Sequence, residues 1–312
     1  MTKERVLVGL SGGVDSSVSC LLLKQQGYDV HALFMKNWDD DDGSPYCSIK
    51  EDFMDAAFIA DQLDIPLLQE SFSREYKDRV FDYFLEELEA GRTPNPDILC
   101  NKEIKFKEFY QYAMNHDFEY IATGHYAQTD HENLFKGSDE SKDQSYFLHA
   151  IDKKVLKQTL FPLGKLKKDE VRTIARENNL ITSEKKDSTG ICFIGERPFP
   201  EFVSKYLQGE VGNIINDKEE VIGSHSGLAF YTLGQRQGLG IGGVKGASDL
   251  PWYVAKKDLT RNELTCVQGN NHPLLFSSEL STKNLFLLDE TVPKDFEGTA
   301  KVRYRQHDQK CN

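Results

Sequence analysis

The first 125 or so residues alternate short apolar runs with amphipathic segments of helical period, and that alternation admits few folds. Val6 to Leu10 reads as a buried strand. A Gly/Ser turn follows, and Ser16 to Gln26 reads as a helix stopped by Gly27, a residue type that readily terminates helices. Val30 to Met35 predicts a second strand, and Lys50 to Leu63 predicts a helix with Phe53, Met54, Ala57, Phe58 and Ala60 at helical spacing. Ile65 to Leu68 is a third strand and Arg74 to Leu88 a further helix; Ile104 to Met114 and Tyr120 to Thr123 repeat the pair. Strands that return through helices run parallel, so the expectation is an α/β, doubly wound parallel sheet that takes its ligand at the carboxyl ends of the strands.

Near Gly195 the pattern changes. After a short helix at about Phe199 to Leu207 come brief β-like runs: Gly209 to Ile215, Glu220 to Ile222, Leu228 to Leu233, Trp252 to Lys256, Glu263 to Val267, Leu285 to Leu287 and Ala300 to Tyr304. That spacing predicts small β-domains or barrels. Asp39 to Asp42 with Gly43 reads as an exposed loop, and Gly137 to Gln144 as a polar loop between strands.

A chain of 312 residues exceeds one ordinary core and predicts two or three domains. Its six cysteines, Cys20, Cys47, Cys100, Cys192, Cys266 and Cys311, form no C-x-x-C pair of the kind that holds a structural zinc or an iron-sulfur cluster, and they fit a reducing compartment. No apolar stretch nears the roughly 20 residues that span a bilayer, and MTKERVLVGL lacks the build of a signal peptide. The expectation is a soluble, cytoplasmic protein with no membrane partner. The net charge of −12 argues against a polyanionic partner. Residues 151–186 offset it locally with ten Lys/Arg against five acids, a distribution equally suited to a phosphate-binding face or a solvated helix.

Ser11-Gly12-Gly13-Val14-Asp15-Ser16-Ser17 sits between strand and helix. Two glycines permit a tight turn and close approach, while helix-start N–H groups and the hydroxyls of Ser11, Ser16 and Ser17 suit an anion, so the segment reads as a pyrophosphate cradle. Walker A spacing, with its lysine, is absent. Cys100 stands at the start of a helix behind Thr93-Pro94-Asn95-Pro96, where a helix N-terminus lowers a thiol's pKa, and Cys192 lies in the glycine-flanked stretch Asp187-Ser188-Thr189-Gly190-Ile191-Cys192. Polar settings favour reactive thiols over structural ones at both positions.

The loop SGGVDSS resembles that of the PP-loop ATP pyrophosphatases, which cleave ATP to AMP and pyrophosphate and activate a carbonyl oxygen as its adenylate. Together with NPDILCN, ATGHYA, DSTGICFIGER and a later GQRQGLGIGG, the chain resembles the tRNA-specific 2-thiouridylase family along nearly all of its length. The resemblance implies thiolation at C2 of the wobble uridine, U34, in tRNAs for Lys, Glu and Gln, with ATP and Mg2+ as cofactors. It implies that Gly9, Leu10, Ser11, Gly12, Gly13, Val14, Asp15 and Ser16 hold ATP, with Met35 and Gly124 near the nucleotide, and it assigns no metal ligands of the protein's own. Asn95, Pro96 and Asp97 approach the base, Asp97 as a candidate acid/base. His125, Lys142, Asp143, Gln144, Tyr304 and Arg305 match tRNA contacts. Cys192 carries sulfur as a persulfide from a cysteine desulfurase or sulfur-relay protein. Whether that sulfur attacks directly or Cys100 first releases it as sulfide, a Cys100–Cys192 disulfide is left for reduction.

The implied organisation is a PP-loop catalytic domain at 1–200, a small central β-rich domain at 201–274, and at 275–312 the start of a C-terminal β-barrel left incomplete where the chain ends, since the family continues through more strands. Other PP-loop modifiers fit less well: a 2-thiocytidine enzyme expects a C-x-x-C pair, lysidine synthetase needs no persulfide cysteine, and a 4-thiouridine enzyme carries extra N-terminal domains. A non-catalytic RNA-binding module would account for the β-rich tail but has no need of Asp15, Cys100 and Cys192 together.

Overall fold

The structure, a computed structural model, describes residues 3–38, 49–187, 199–244, 246–282, 285–288 and 295–312. The loop expected at Asp39 to Gly43, Cys47, and Cys192 with the stretch from Ser188 to Pro198 lie outside the described residues. The chain divides into two compact units. One comprises residues 1–80, 97–195 and 286–312, the other residues 81–96 and 196–285.

In the first unit, strand β1 (Arg5–Gly9), helix α1 (Val14–Gln25), β2 (Asp29–Lys36), α2 (Ile49–Gln62) and β3 (Leu67–Ser71) follow the predicted alternation. The chain is then helical through α3 (Ser73–Tyr76), a π-wound stretch Lys77–Phe81 and, as part of the second unit, α4 (Asp82–Glu89); from residue 97 it is again in the first unit, helical through α5 (Pro96–Leu99), a π-wound stretch Cys100–Glu108 and α6 (Phe109–Asn115). Next come β4 (Tyr120–Ala122), a hairpin of β5 (Ala127–Thr129) and β6 (Leu134–Lys136), α7 (Lys153–Leu156), β7 (Thr159–Leu160) and α8 (Lys168–Glu177). The main sheet has order β3-β2-β1-β4-β7, and every pairing in it is parallel. Val6, Leu7 and Val8 of its central strand are fully buried, as a strand covered on both faces requires. Val6 and Val8 share a core with Val18 and Leu23 of α1, Ile59 of α2 and Val171 and Ala175 of α8. Strand order reverses between β1 and β4, so the switch point, where a crevice opens, lies beyond Gly9 and Ala122.

The second unit holds α9 (Phe199–Val203) and a four-stranded sheet of β8 (Gly212–Ile215), β9 (Val221–His225), β10 (Trp252–Asp258) and β11 (Glu263–Gln268), ordered β10-β11-β8-β9. Its core gathers Ile214, Leu228, Tyr231, Leu239, Val254, Leu264 and Cys266. Phe81 and Phe202, with ring centroids 6.0 Å apart, anchor an aromatic cluster beside it. β12 (Gly298–Ala300) and β13 (Gln309–Cys311) form a small antiparallel pair within the first unit.

Three expected strands differ. Leu228 to Leu233 contains a 3-10 turn, Leu228–Phe230, that drops Leu228 into the core; a short apolar run marks burial and does not distinguish strand from turn. Residues 285–287 are not a strand, and Leu285 is 71% exposed. The last expected run ends as a strand at Ala300.

Cys20 and Cys266 are fully buried, and burial pushes each thiol up to about 12. They act as packing groups. In the native protein at pH 8, iodoacetamide should label exposed Cys311 and spare both until denaturant is added, as read by peptide mass. Rapid native labelling of Cys20 would contradict the packing described for α1.

Candidate functional site

The turn after β1 opens α1, whose first N–H groups lack intrahelical partners. Gly12 adopts φ +76°, and a Cβ there would stand 2.2 Å from the Asp52 carbonyl oxygen at the start of α2, so only glycine fits. The serine hydroxyls have a different task from the one expected. Ser16 and Ser17 donate to the Gly13 carbonyl oxygen (3.1 and 2.8 Å), and Ser16 Oγ also accepts the Ser11 N–H at 3.2 Å. They brace the turn, with Ser11 Oγ sharing a 3.2 Å hydrogen bond with Ser16 Oγ, and leave the N–H groups at the start of α1 to face an anion.

The loop's neighbours follow from sheet order. On β2, Met35 places its methyl 3.0 Å from where a Gly9 Cβ would be. Beyond β4, Gly124 lies so close to α1 that a Cβ would come within 2.9 Å of the Asp15 carbonyl carbon and the Ser16 nitrogen. Nucleotide-side residues predicted from three sequence regions thus converge: Gly9 to Ser16, Met35 and Gly124.

Asp15 is held from both sides. The Tyr126 hydroxyl donates to its Oδ1 at 2.8 Å, and the Lys168 ammonium donates to Oδ1 and Oδ2 at 2.8 Å each. Burial, then the Asp15 charge beside it, raises the Tyr126 phenol far above its usual range, so the phenol stays a donor. Lys168 also pairs with Asp187 Oδ1 at 2.8 Å, and Asp187 further receives Lys142 (2.8 Å) and Arg172 (2.7 Å). Burial works to raise the Asp187 carboxyl, but hydrogen bonds from Lys142 and Lys168 outweigh it and hold the pKa at about 2. On the other side of the turn, Lys185 donates to the Gly12 carbonyl oxygen at 3.0 Å and pairs with Asp52 and Asp55.

Three of the ten basic residues at 151–186 turn inward, and the other seven are exposed. Lys168, Arg172 and Lys185 neutralise acids at the loop, whereas Arg176 pairs with Glu184 at the surface. Sequence reasoning missed Lys168, Lys185, Tyr126 and Asp187 as parts of the site. The last two lie inside ATGHYA and DSTG and could have been suspected; the lysines carry no local signal.

The other expected residues are placed as follows. Pro96 begins the helical run, as its missing N–H suits, and Asp97 lies in the first turn, where negative charge is favoured. Cys100 stands one turn further in than expected, opening the π-wound stretch with its side chain buried. Asn95 is half-buried. His125 is buried, bonded through Nδ1 to Thr123 Oγ1 at 2.8 Å and flanked by Phe106 and Phe161; burial, helped by the charge of Lys105, drives its pKa well down, so the ring is neutral. Asp143 accepts the Gly137 N–H (3.0 Å), and Gln144 accepts the Tyr126 N–H (3.0 Å), fixing the polar loop. Tyr304 lies 4.5 Å from the Phe147 ring and 6.2 Å from that of Tyr146, with Arg305 exposed beside it. Among the described residues no cluster of three or more His, Cys, Asp or Glu could hold a metal, and no helix is long and apolar enough to cross a membrane.

A parallel sheet carrying this turn at its switch point defines an α/β nucleotide-binding domain of the PP-loop class. The family profile of the tRNA methyl transferase HUP domain matches residues 4–196, and that of the tRNA methyl transferase PRC-barrel domain matches residues 200–268. The chain is 58% identical, over 99% of its length and 86% of the relative's, to the tRNA-specific 2-thiouridylase MnmA of Hahella chejuensis. It is 56% identical over its full length to the tRNA-specific 2-thiouridylases MnmA of Francisella tularensis and Nitrosomonas europaea, covering 88% and 87% of them. The chain belongs to the tRNA-specific 2-thiouridylase family.

Two outcomes follow from this geometry. Gly12→Val and Gly124→Ala should each abolish or cut at least tenfold the binding of ATP measured by calorimetry, since both press side chains into backbone at the turn; unchanged affinity in both would remove the loop from the site. Asp187, with a folded pKa of about 2 against 3.8 for the free group, stabilises the fold fully above pH 4 and loses that contribution as pH falls through about 2. Denaturant titrations of Asp187→Asn should show lower stability at pH 7 and a flatter acid limb than the parent.

Proposed function

We propose that the protein transfers sulfur to C2 of the wobble uridine, U34, in tRNAs for Lys, Glu and Gln, using ATP. The observation that carries this reading is the SGG turn at the N-terminus of α1, at the sheet's switch point and beside Asp15. It supports pyrophosphate binding by backbone N–H groups and hence cleavage of ATP to AMP and pyrophosphate. The uracil C2 oxygen attacks the α-phosphorus, pyrophosphate leaves, and the poor leaving group becomes an AMP ester. Magnesium would neutralise charge on the phosphates, and Asp15 would be the carboxylate that holds it.

Sulfur comes from a persulfide on Cys192, loaded by a cysteine desulfurase or sulfur-relay protein in the cytoplasm. C2 takes the terminal sulfur, AMP departs, and Cys100 and Cys192 end as a disulfide that an external thiol reduces. Burial of Cys100 suits a thiol that meets only what the site delivers. Asp97 holds or moves the proton at the base, with Asn95 and Pro96 against it. Tyr304, ringed by Phe147 and Tyr146 and followed by Arg305, has the make-up of a stacking platform for unpaired bases. Lys142, Asp143, Gln144 and His125 shape the same tRNA surface, the last from beneath. In this division residues 1–200 carry the chemistry, and 201–274 and 275–312 assist tRNA binding.

The test is mass analysis of nucleosides from tRNA incubated with protein, ATP, magnesium, a desulfurase and cysteine. The parent should form 2-thiouridine at position 34. Cys192→Ser should still release pyrophosphate but accept no sulfur, and Cys100→Ser should accept sulfur on Cys192 and deliver little or none. Formation of 2-thiouridine by Cys192→Ser with the desulfurase as donor would refute the sulfur route.

A further inference from the structure

Asn101 keeps a buried acceptor that the chain itself does not use. Its side chain is 3% exposed, Nδ2 donates to the Phe147 carbonyl oxygen in a long bond of 3.4 Å, and among the described residues nothing donates to Oδ1. A carbonyl oxygen only accepts, so Phe147 fixes the orientation of the amide: the NH2 group faces it, and the oxygen is left over together with the second N–H. An acceptor stranded out of water is unfavourable, and leucine would fill a similar volume without that loss. Its presence points to a donor that arrives with the substrate.

We propose that Asn101 selects uracil as the target base, Oδ1 accepting the N3–H and the second Nδ2 hydrogen donating to O4; this rests on the uridine-thiolating reading above. Cytosine offers the inverse pattern, an acceptor at N3 and an amino group at C4, and would oppose acceptor to acceptor and donor to donor. The amide stands where such a choice has to be made. Asp97 is followed three and four residues later by Cys100 and Asn101, so the three share one helical face across the junction of α5 with the π-wound stretch. The N3–H that Oδ1 holds is then the proton that Asp97 takes as the C2 oxygen attacks ATP. Phe147, bonded to Asn101, has its ring 4.5 Å from that of Tyr304, so the amide also ties the base-side helix to the stacking platform. Cys100 is fully buried in the free protein and Asn101 nearly so, and an opening that brings the base to the thiol uncovers its neighbour on the same face.

The experiment measures binding of two tRNAs for Glu, identical but for U34 or C34, with magnesium and a non-cleavable ATP analogue, to the parent, Asn101→Leu, Asn101→Ala and Asn101→Asp. The parent should hold the U34 tRNA tighter by about fivefold or more, the scale of a two-bond base contact. Asn101→Leu and Asn101→Ala should bind both tRNAs alike, at the parent's C34 level, and their kcat/KM for thiolation of U34 should fall about tenfold or more. Asn101→Asp keeps an acceptor toward N3 while losing the bond to Phe147, and should retain a preference for U34. A role confined to holding Phe147 gives a different pattern: Asn101→Asp as damaging as Asn101→Leu, and both tRNAs weakened in equal proportion with the U34 preference intact. That pattern, or a parent without preference, overturns the proposal. Parent protein that forms no 2-thiouridine would instead overturn the reading on which it rests, whereas a parent that forms it and whose leucine and alanine variants keep the U34 preference overturns only the role of Asn101.

Discussion

The pairing of Asp15 with Lys168 is the interaction on which the rest of the site depends. A charge largely withdrawn from water, as the Lys168 ammonium is, costs stability unless it finds several partners, and both members of this pair have them: the half-buried carboxylate takes the ammonium and a phenol, the ammonium a second carboxylate. The arrangement joins the turn after β1 to α8 and, through Tyr126, to the chain leaving β4. Remove Asp15 and the nearly buried Lys168 ammonium is left with Asp187 alone; remove Lys168 and the half-buried Asp15 carboxylate keeps only the Tyr126 hydroxyl.

Around that pair the turn is rigid before any ligand arrives. Ser16 and Ser17 consume the Gly13 carbonyl, Lys185 consumes that of Gly12, and Asp52 closes the space where a side chain could enter. Carbonyl oxygens are thus turned to internal donors, as is the Ser11 N–H to Ser16 Oγ, while the N–H groups at the start of α1 keep no intrahelical acceptor, the polarity an anionic ligand needs. Such preorganisation lowers the reorganisation required when charge develops on a leaving group.

The parallel sheet was legible because its strands are apolar throughout and its helices periodic, and Gly12, Asp15 and Gly124 were legible because they stand in compact motifs at strand ends. The inward lysines were not, since a lysine in a charged stretch has the same local pattern whether it meets water or Asp15. Charge counting over 151–186 registered the excess but not its direction, and only the docking of α8 against α1 decides that. Leu228 shows the same limit in the apolar register: burial was readable there, backbone conformation was not. Cys100 was readable as a helix-associated thiol, but Pro96 begins the helix earlier than the apolar period from Ile104 indicates.

The bond from Lys185 to the Gly12 carbonyl joins residues 173 apart, and that from Lys168 to Asp15 joins residues 153 apart. Contacts of such separation form late, after loop-closure entropy has been met. During synthesis, β1 and α1 emerge well before α8 and stay without their braces until α8 and the turn after it have left the ribosome. The turn after β1 is therefore among the last parts of its domain to reach its finished geometry, although residues 9–20 encode it, and that geometry waits until most of the domain exists.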